Sequence, residues 1–288
     1  GIAIGQPFLL NSVTKLSANW FPESERTSAT GLGLIAGFVG ILLGLLITPF
    51  IVGGFGFDGM LLIYGIIALV SSILFIIFAK NRPPSPPSEK IISEKVFMVQ
   101  GMKSLVTNKY FVILLVLYFI GLGIFNTITT YIEVIVLPRG FDSTYAGILG
   151  GIMLLGGIIG CIIMPALSDK YRVRKPLLLI SILMATLSLL LISFLSDPVL
   201  LLLLGFLFGF GLMSASPIGL EYAIEITRPV PEATSNGLLM MIGQIGGILF
   251  ILGLEDLRLP SGDYFPALIL QTILLGIVTV LVLLLKED

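Results

Sequence analysis

Nine apolar runs divide the chain, at about residues 1–13, 31–54, 60–79, 110–137, 146–167, 176–195, 198–220, 233–254 and 264–285. Eight of them reach the roughly 20 residues that carry a helix across a bilayer. The runs are continuous and rich in Leu, Ile and Gly, without the ten-residue alternation of a membrane barrel, so each predicts a transmembrane helix. The first run is too short for a span. It begins at Gly1 and reads as the remaining end of one that starts upstream. One long polar connection, residues 81–109, separates three runs from six. Its RPPSPPSEK stretch predicts a stiff, extended spacer, because proline fixes φ and removes a donor. Residues 93–108 then fit either a solvated linker or a short surface helix with Val96, Phe97, Val99 and Leu105 toward lipid.

Composition sharpens the class. The chain is 56% hydrophobic and 11% charged, where soluble domains carry roughly 25% charged residues. That excludes a soluble globule and predicts an all-α polytopic membrane protein. If the spans alternate, all of the 16 basic residues except Arg139 and Arg258 share one side. By the positive-inside bias that side, with the 81–109 connection and the C-terminus, is cytoplasmic, and the expected location is the plasma membrane. The opposite loops, around Asp58, Asp142, Asp197 and Glu255–Asp263, are short and mostly acidic. The single cysteine, Cys161, permits no intramolecular disulfide and reads as a small packing residue. The chain has no histidine and no paired acids within its spans, which argues against a membrane enzyme. No cofactor or metal is expected.

An internal echo organises the rest. WFPESERTSATG at 20–31 recurs in degenerate form as TRPVPEATSNG at 227–237. Placing Gly31 on Gly237 also places Gly37 on Gly243 and Gly40 on Gly246, an offset of 206 residues. Pro7 falls on Pro217 after a small insertion. Six spans lie within the period, so a six-span unit is repeated in parallel across a long basic loop. This plan resembles that of the major facilitator superfamily. The stretches 5–33 and 217–250 resemble, more narrowly, the feline leukaemia virus subgroup C receptor-related family, whose members are described as transporters of choline, ethanolamine or haem-related cargo. The resemblance implies a partial major facilitator fold running from the end of helix 4 through helix 12. Residues 1–80 would then be the remainder of an N-terminal bundle (helices 4–6), 81–109 a cytoplasmic linker, and 110–288 a C-terminal six-helix bundle (helices 7–12).

The resemblance also implies roles for particular residues. Gln6 and Gln244 match family glutamines that face a central cavity, and the alternative reading of each is interhelical glue. The family places a tyrosine of its helix 7 in an aromatic cage for a quaternary ammonium; this chain has Phe125-Asn126 there. Asn126, Thr127, Thr129 and Thr130 instead suggest a polar, hydrogen-bonding cargo, with Tyr131 as a further aromatic wall. Glu133, near the end of its span, is a candidate for proton coupling; the alternative is an interfacial carboxylate paired with Arg139.

The loop MPALSDKYRVRKP at 164–176 resembles the superfamily's helix 8–9 signature, with Arg172 where glycine is usual. In that logic Asp169 caps helix 11, and Arg172 or Arg174 pairs with Glu221 or Glu225, which lie one turn apart on one helix face. The set reads as a cytoplasmic gate, or as simple positive-inside anchoring. Glycines four apart, such as Gly156/Gly160 and Gly243/Gly247, predict close helix approach. The family plan assigns those of helices 5, 8 and 11 to sliding between the two halves. The whole reads as a secondary active transporter moving a small organic solute by alternating access. The alternatives are a non-transporting receptor or scaffold on the same fold, or a drug/proton antiporter of another subfamily. Its expected partners are the solute, the bilayer and a coupling ion, H+ or Na+. A monomer is expected, with no nucleic acid bound.

Overall fold

Aspartates of the acidic loops turn out to be helix starts. Asp142 accepts a hydrogen bond from the Tyr145 amide at 2.8 Å ahead of a helix at Ser143–Tyr171. Asp197 accepts from the Val199 and Leu200 amides at 3.0 and 2.9 Å ahead of Pro198–Thr227. Asn108 does the same for Lys109–Val136, accepting from Tyr110 and Phe111. A side-chain acceptor there satisfies amides that would otherwise face an apolar phase unpaired, and an aspartate also meets the positive end of the helix dipole.

These elements belong to a computed structural model that describes Leu16, Trp20, Phe21 and residues 26–80, 104–230 and 232–286. In chain order the long helices are α1 (Arg26–Phe78), α2 (Lys109–Val136), α3 (Ser143–Tyr171), α4 (Lys175–Phe194), α5 (Pro198–Thr227), α6 (Glu232–Asp256) and α7 (Phe265–Leu283). All seven are long and apolar enough to cross a membrane. The chain divides into two units, Gly1–Ile92 and Ser93–Asp288.

In the first unit the two spans expected at 31–54 and 60–79 form one helical run, broken only at Gly56 (φ 70°, ψ 177°). A straight helix would hold Thr48 and Tyr64 about 24 Å apart. Their hydroxyl oxygens lie 2.6 Å apart, so the run doubles back at Gly56. That backbone shape is one that essentially only glycine adopts. The two spans persist, but a single residue takes the place of the expected loop. Large side chains such as Phe50, Phe55, Phe75 and Phe78 are exposed along both arms.

In the second unit α3 packs on α5, α2 on α6, and α4 on both α5 and α7. Apolar burial does little to drive helices together in lipid, so close packing has to. Glycine provides it. A Cβ at Gly156 or Gly160 of α3 would fall inside the Phe206 or Phe210 carbonyl of α5, and one at Gly209 of α5 inside the Met153 carbonyl of α3. Gly246 of α6 meets the Phe119 carbonyl of α2 in the same way. The glycines of helices 8 and 11 were expected to serve sliding between halves. Within this bundle Gly156/Gly160 face the backbone of α5, Gly246 faces the backbone of α2, and Gly243 meets the Leu122 side chain and the Tyr118 carbonyl of α2.

Two further residues depart from expectation. Pro217 has no N–H, which leaves the Met213 carbonyl without its helical partner. The Cys161 thiol donates to that carbonyl at 3.2 Å, so it is a polar filler and not only a packing residue. Tyr118 donates to the neighbouring Ser216 carbonyl. Leu105, expected to face lipid, is 1% exposed, in a helical turn at 104–107 packed on the bundle core. The other residues of that connection, 81–103, lie outside the described residues, as does Gln6.

Candidate functional site: an amide pair and an arginine cluster

The α2–α6 contact brings together two polar residues from otherwise apolar helices. Asn126 Nδ2 donates to Gln244 Oε1 at 3.2 Å. Gly247 makes the approach possible, since a Cβ there would lie 2.5 Å from Asn126 Nδ2. Asn126 is half-buried and Gln244 exposed, so the pair sits on an open face of the bundle. In either amide orientation, one acceptor oxygen and one NH2 group remain to meet a solute. Both residues lie well inside their helices, where an amide is costly unless it faces water or a partner.

The hydroxyls around the pair separate into two sets. Thr127 donates to the Gly123 carbonyl, and Thr129 to those of Phe125 and Asn126, so both are satisfied by their own helix. Thr130 is exposed, one turn beyond Asn126 on the same face. Tyr131 stands apart from that face: its ring packs on Tyr264 at 6.4 Å between centroids. Glu133, two turns along from Asn126, is exposed, and its Oε1 accepts from the Ser143 hydroxyl at 2.5 Å. The expected Glu133–Arg139 pair is not among the described contacts. Arg139 instead donates to the Ile192 and Leu195 carbonyls at 2.6 and 3.1 Å, where a cation caps the last turn of α4.

A second constellation gathers at the opposite end of the bundle. Arg174 is held by Asp169 Oδ1 at 2.5 Å, Glu225 Oε1 at 3.1 Å and the Ser168 hydroxyl at 3.0 Å. The Ser168 hydroxyl in turn donates to the Val173 carbonyl at 2.7 Å. The cluster joins the end of α3, the α3–α4 turn and the end of α5. Burial pulls the guanidinium's pKa down, and the hydrogen bonds and charges of Asp169 and Glu225 together outweigh it, so the net direction is upward. Arg174 therefore stays charged at any working pH. Asp169, read as a cap for helix 11, has its described contact with Arg174.

Of the two arginines read as gate candidates, Arg174 is the one with ion pairs among the described residues. Arg172 takes left-handed backbone (φ 54°, ψ 39°) at the end of α3. This conformation explains why glycine is usual at its position. Of the two acids, Glu225 carries the bond to Arg174; Glu221 is half-buried one turn before it. Ser168 went unnoticed in the sequence, though a hydroxyl one residue before Asp169 was the available signal.

Comparison with known proteins places this geometry in a lineage. The profile of the Major Facilitator Superfamily matches residues 2–251. Solute carrier family 49 member A3 of Xenopus tropicalis is 33% identical over 277 residues, covering 92% of this chain and 56% of that protein. The choline/ethanolamine transporter FLVCR1 of Felis catus is 28% identical over 284 residues, covering 92% and 50%. The crystal structure of the E. coli fucose:proton symporter FucP superposes with a TM-score of 0.67 at 13% identity, covering 96% of this chain and 72% of that one. The chain spans about half the length of these curated relatives.

Proposed function

The chain belongs to the major facilitator superfamily and is a multi-pass membrane protein, and from that premise we propose that it serves secondary active transport of a small polar organic solute by alternating access. The Asn126–Gln244 pair carries the reading: two amides hydrogen-bonded on an open face of apolar helices, with Thr130 beside them. Such groups suit a solute that both donates and accepts hydrogen bonds. Choline and ethanolamine are named for one relative. Ethanolamine offers N–H and O–H donors to an amide oxygen, whereas choline offers only its hydroxyl and depends on aromatic faces for its cation. The proposed cargo is therefore closer to a primary amine or a polyol than to a quaternary ammonium.

Uptake into vesicles tests this. Asn126→Ala with Gln244→Ala is expected to lower transport of the preferred solute by roughly 30-fold while leaving the protein folded, since each of the two lost neutral hydrogen bonds is worth about 1 kcal/mol. Unchanged uptake by the folded double variant would sink the assignment. We propose that the Arg174 cluster lies on the cytoplasmic side, a reading that the bias of the basic residues supports, and that it acts there as a gate.

Glu133 is proposed as the group through which protons couple to the solute, because the Ser143 hydroxyl holds its carboxylate on the same face as the amide pair. Glu133→Gln is expected to abolish accumulation driven by a pH gradient while solute exchange at equal pH continues. Full pH-driven accumulation in this variant would remove Glu133 from the mechanism and point to another ion, such as Na+.

A further inference from the structure

The α6–α7 connection, at the end of the bundle opposite the Arg174 cluster, is a closed turn. The Leu259 amide donates to the Asp263 carbonyl at 2.9 Å, and the Gly262 amide to the Leu259 carbonyl at 2.8 Å. Gly262 takes a positive φ of 89°, and the Arg258 side chain runs beside it. Glu255, in the last turn of α6, uses both carboxylate oxygens. Oε1 is bound by Arg258 at 3.1 Å, and Oε2 accepts from the Tyr264 hydroxyl at 2.8 Å. Tyr264 stands just before α7, and its carbonyl accepts from the Leu268 amide at 3.0 Å to start that helix.

The two bonds to Glu255 differ in weight. Arg258 and Glu255 are 44% and 54% exposed, so solvent screens their ion pair. Tyr264 is 1% exposed, in the same buried cluster as Ile128 and Ile132 of α2, and its ring lies 6.4 Å from that of Tyr131. A phenol bonded to a carboxylate is also the stronger kind of hydrogen bond. Contacts therefore run from the end of α6, through Tyr264, to Tyr131 of α2. These are the two helices that carry Asn126 and Gln244. Gly246 and Gly247 bring them together at the level of the amide pair, and Tyr264 joins them again about 7 Å further along α2. At 3.2 Å the Asn126–Gln244 bond is at the long end of its range, so a small splay of the helices breaks it.

We propose that Glu255 is a positioning residue for the amide pair. By holding Tyr264 against Tyr131 it fixes the spacing of α2 and α6 beyond their crossing, and so keeps Asn126 and Gln244 together as one hydrogen-bonding surface. The consequence for transport rests on the reading of that pair as the solute site. Without the Tyr264 hydroxyl the helices part at this end, and a solute meets two separate amides in place of a preorganised pair.

Paired nitroxide labels on the purified full chain read the spacing. They are attached through Thr130→Cys and Leu252→Cys, both exposed, in a Cys161→Ser background that keeps a donor for the Met213 carbonyl. Tyr264→Phe, which keeps the ring on Tyr131, and Glu255→Ala are each expected to lengthen and broaden the distance between labels. Tyr145→Phe is the control. It removes another tyrosine hydroxyl bond at this end, from α3 to the Pro198 carbonyl at 2.7 Å, and is expected to leave the distance as in the parent. In vesicles Tyr264→Phe and Glu255→Ala are expected to raise KM for the solute about tenfold with the maximal rate retained, a factor set by one hydrogen bond to a charged acceptor. Longer distances with unchanged uptake would leave the spacing role standing and remove the amide pair as the solute site. Distances equal to the parent's in both variants overturn the proposal, whatever uptake does.

Discussion

Gly209→Val is expected to leave little well-folded protein. A Cβ at this position would lie inside the Met153 carbonyl oxygen and 3.1 Å from Met153 Cγ. That oxygen belongs to the helical ladder of α3, so it cannot withdraw without moving the helix. The cost should therefore exceed the ordinary overpacking penalty of about 1–3 kcal/mol. Melting of the purified chain is expected to fall by on the order of 10 °C, with loss of a monodisperse peak. Gly276→Ala in α7 is the counterpart: a Cβ there meets nothing within 4 Å, and the helix should gain roughly 0.5–1 kcal/mol. An unchanged melting temperature for Gly209→Val would show that α3 and α5 do not meet backbone to backbone.

The same contact shows where sequence reading stops. Apolar runs near 20 residues mark spans locally, and Asp142 and Asp197 stand where helices begin, so the bundle's helices were legible. Glycines four apart announce a close approach but carry no address. Nothing in the Gly156/Gly160 spacing says that the partner is Phe206 and Phe210, on a helix one element removed in the chain. Likewise, the family resemblance singled out Asn126 and Gln244 separately, while their pairing depends on how α2 crosses α6. Thr127, Thr129 and Thr130 were equivalent as letters; only the fold shows which hydroxyls turn back to their own carbonyls. Pro217 marks the Met213 carbonyl as one in need of a donor, but that Cys161 supplies it depends again on how α3 crosses α5.

Arg174→Gln is expected to open the cluster at the α3–α4 turn. The Arg174 side chain is 18% exposed, and its guanidinium binds Asp169, Glu225 and Ser168 at once, a geometry that suits its fixed fork of donors. Its loss leaves two carboxylates and a hydroxyl facing the space it filled. Charge-assisted hydrogen bonds are worth about 1.5–3 kcal/mol, but Asp169 and Glu225 are 66% and 42% exposed, so solvent screening reduces each contribution. A net cost of about 2 kcal/mol follows, a shift of roughly 30-fold in the closed-to-open ratio. Amide exchange should speed up at 168–175 and 221–228, and Arg174→Lys should restore it only in part. The raised pKa of Arg174 means that its contribution persists below its unfolded value and is lost only in strong alkali, so raising the pH within the working range should not mimic the variant. Arg172→Gly supplies the contrast. It removes left-handed strain of about 1 kcal/mol and should raise stability with the cluster intact. Faster exchange in Arg172→Gly, with none in Arg174→Gln, would reverse the assignment and make Arg172 the residue that holds this end of the bundle closed.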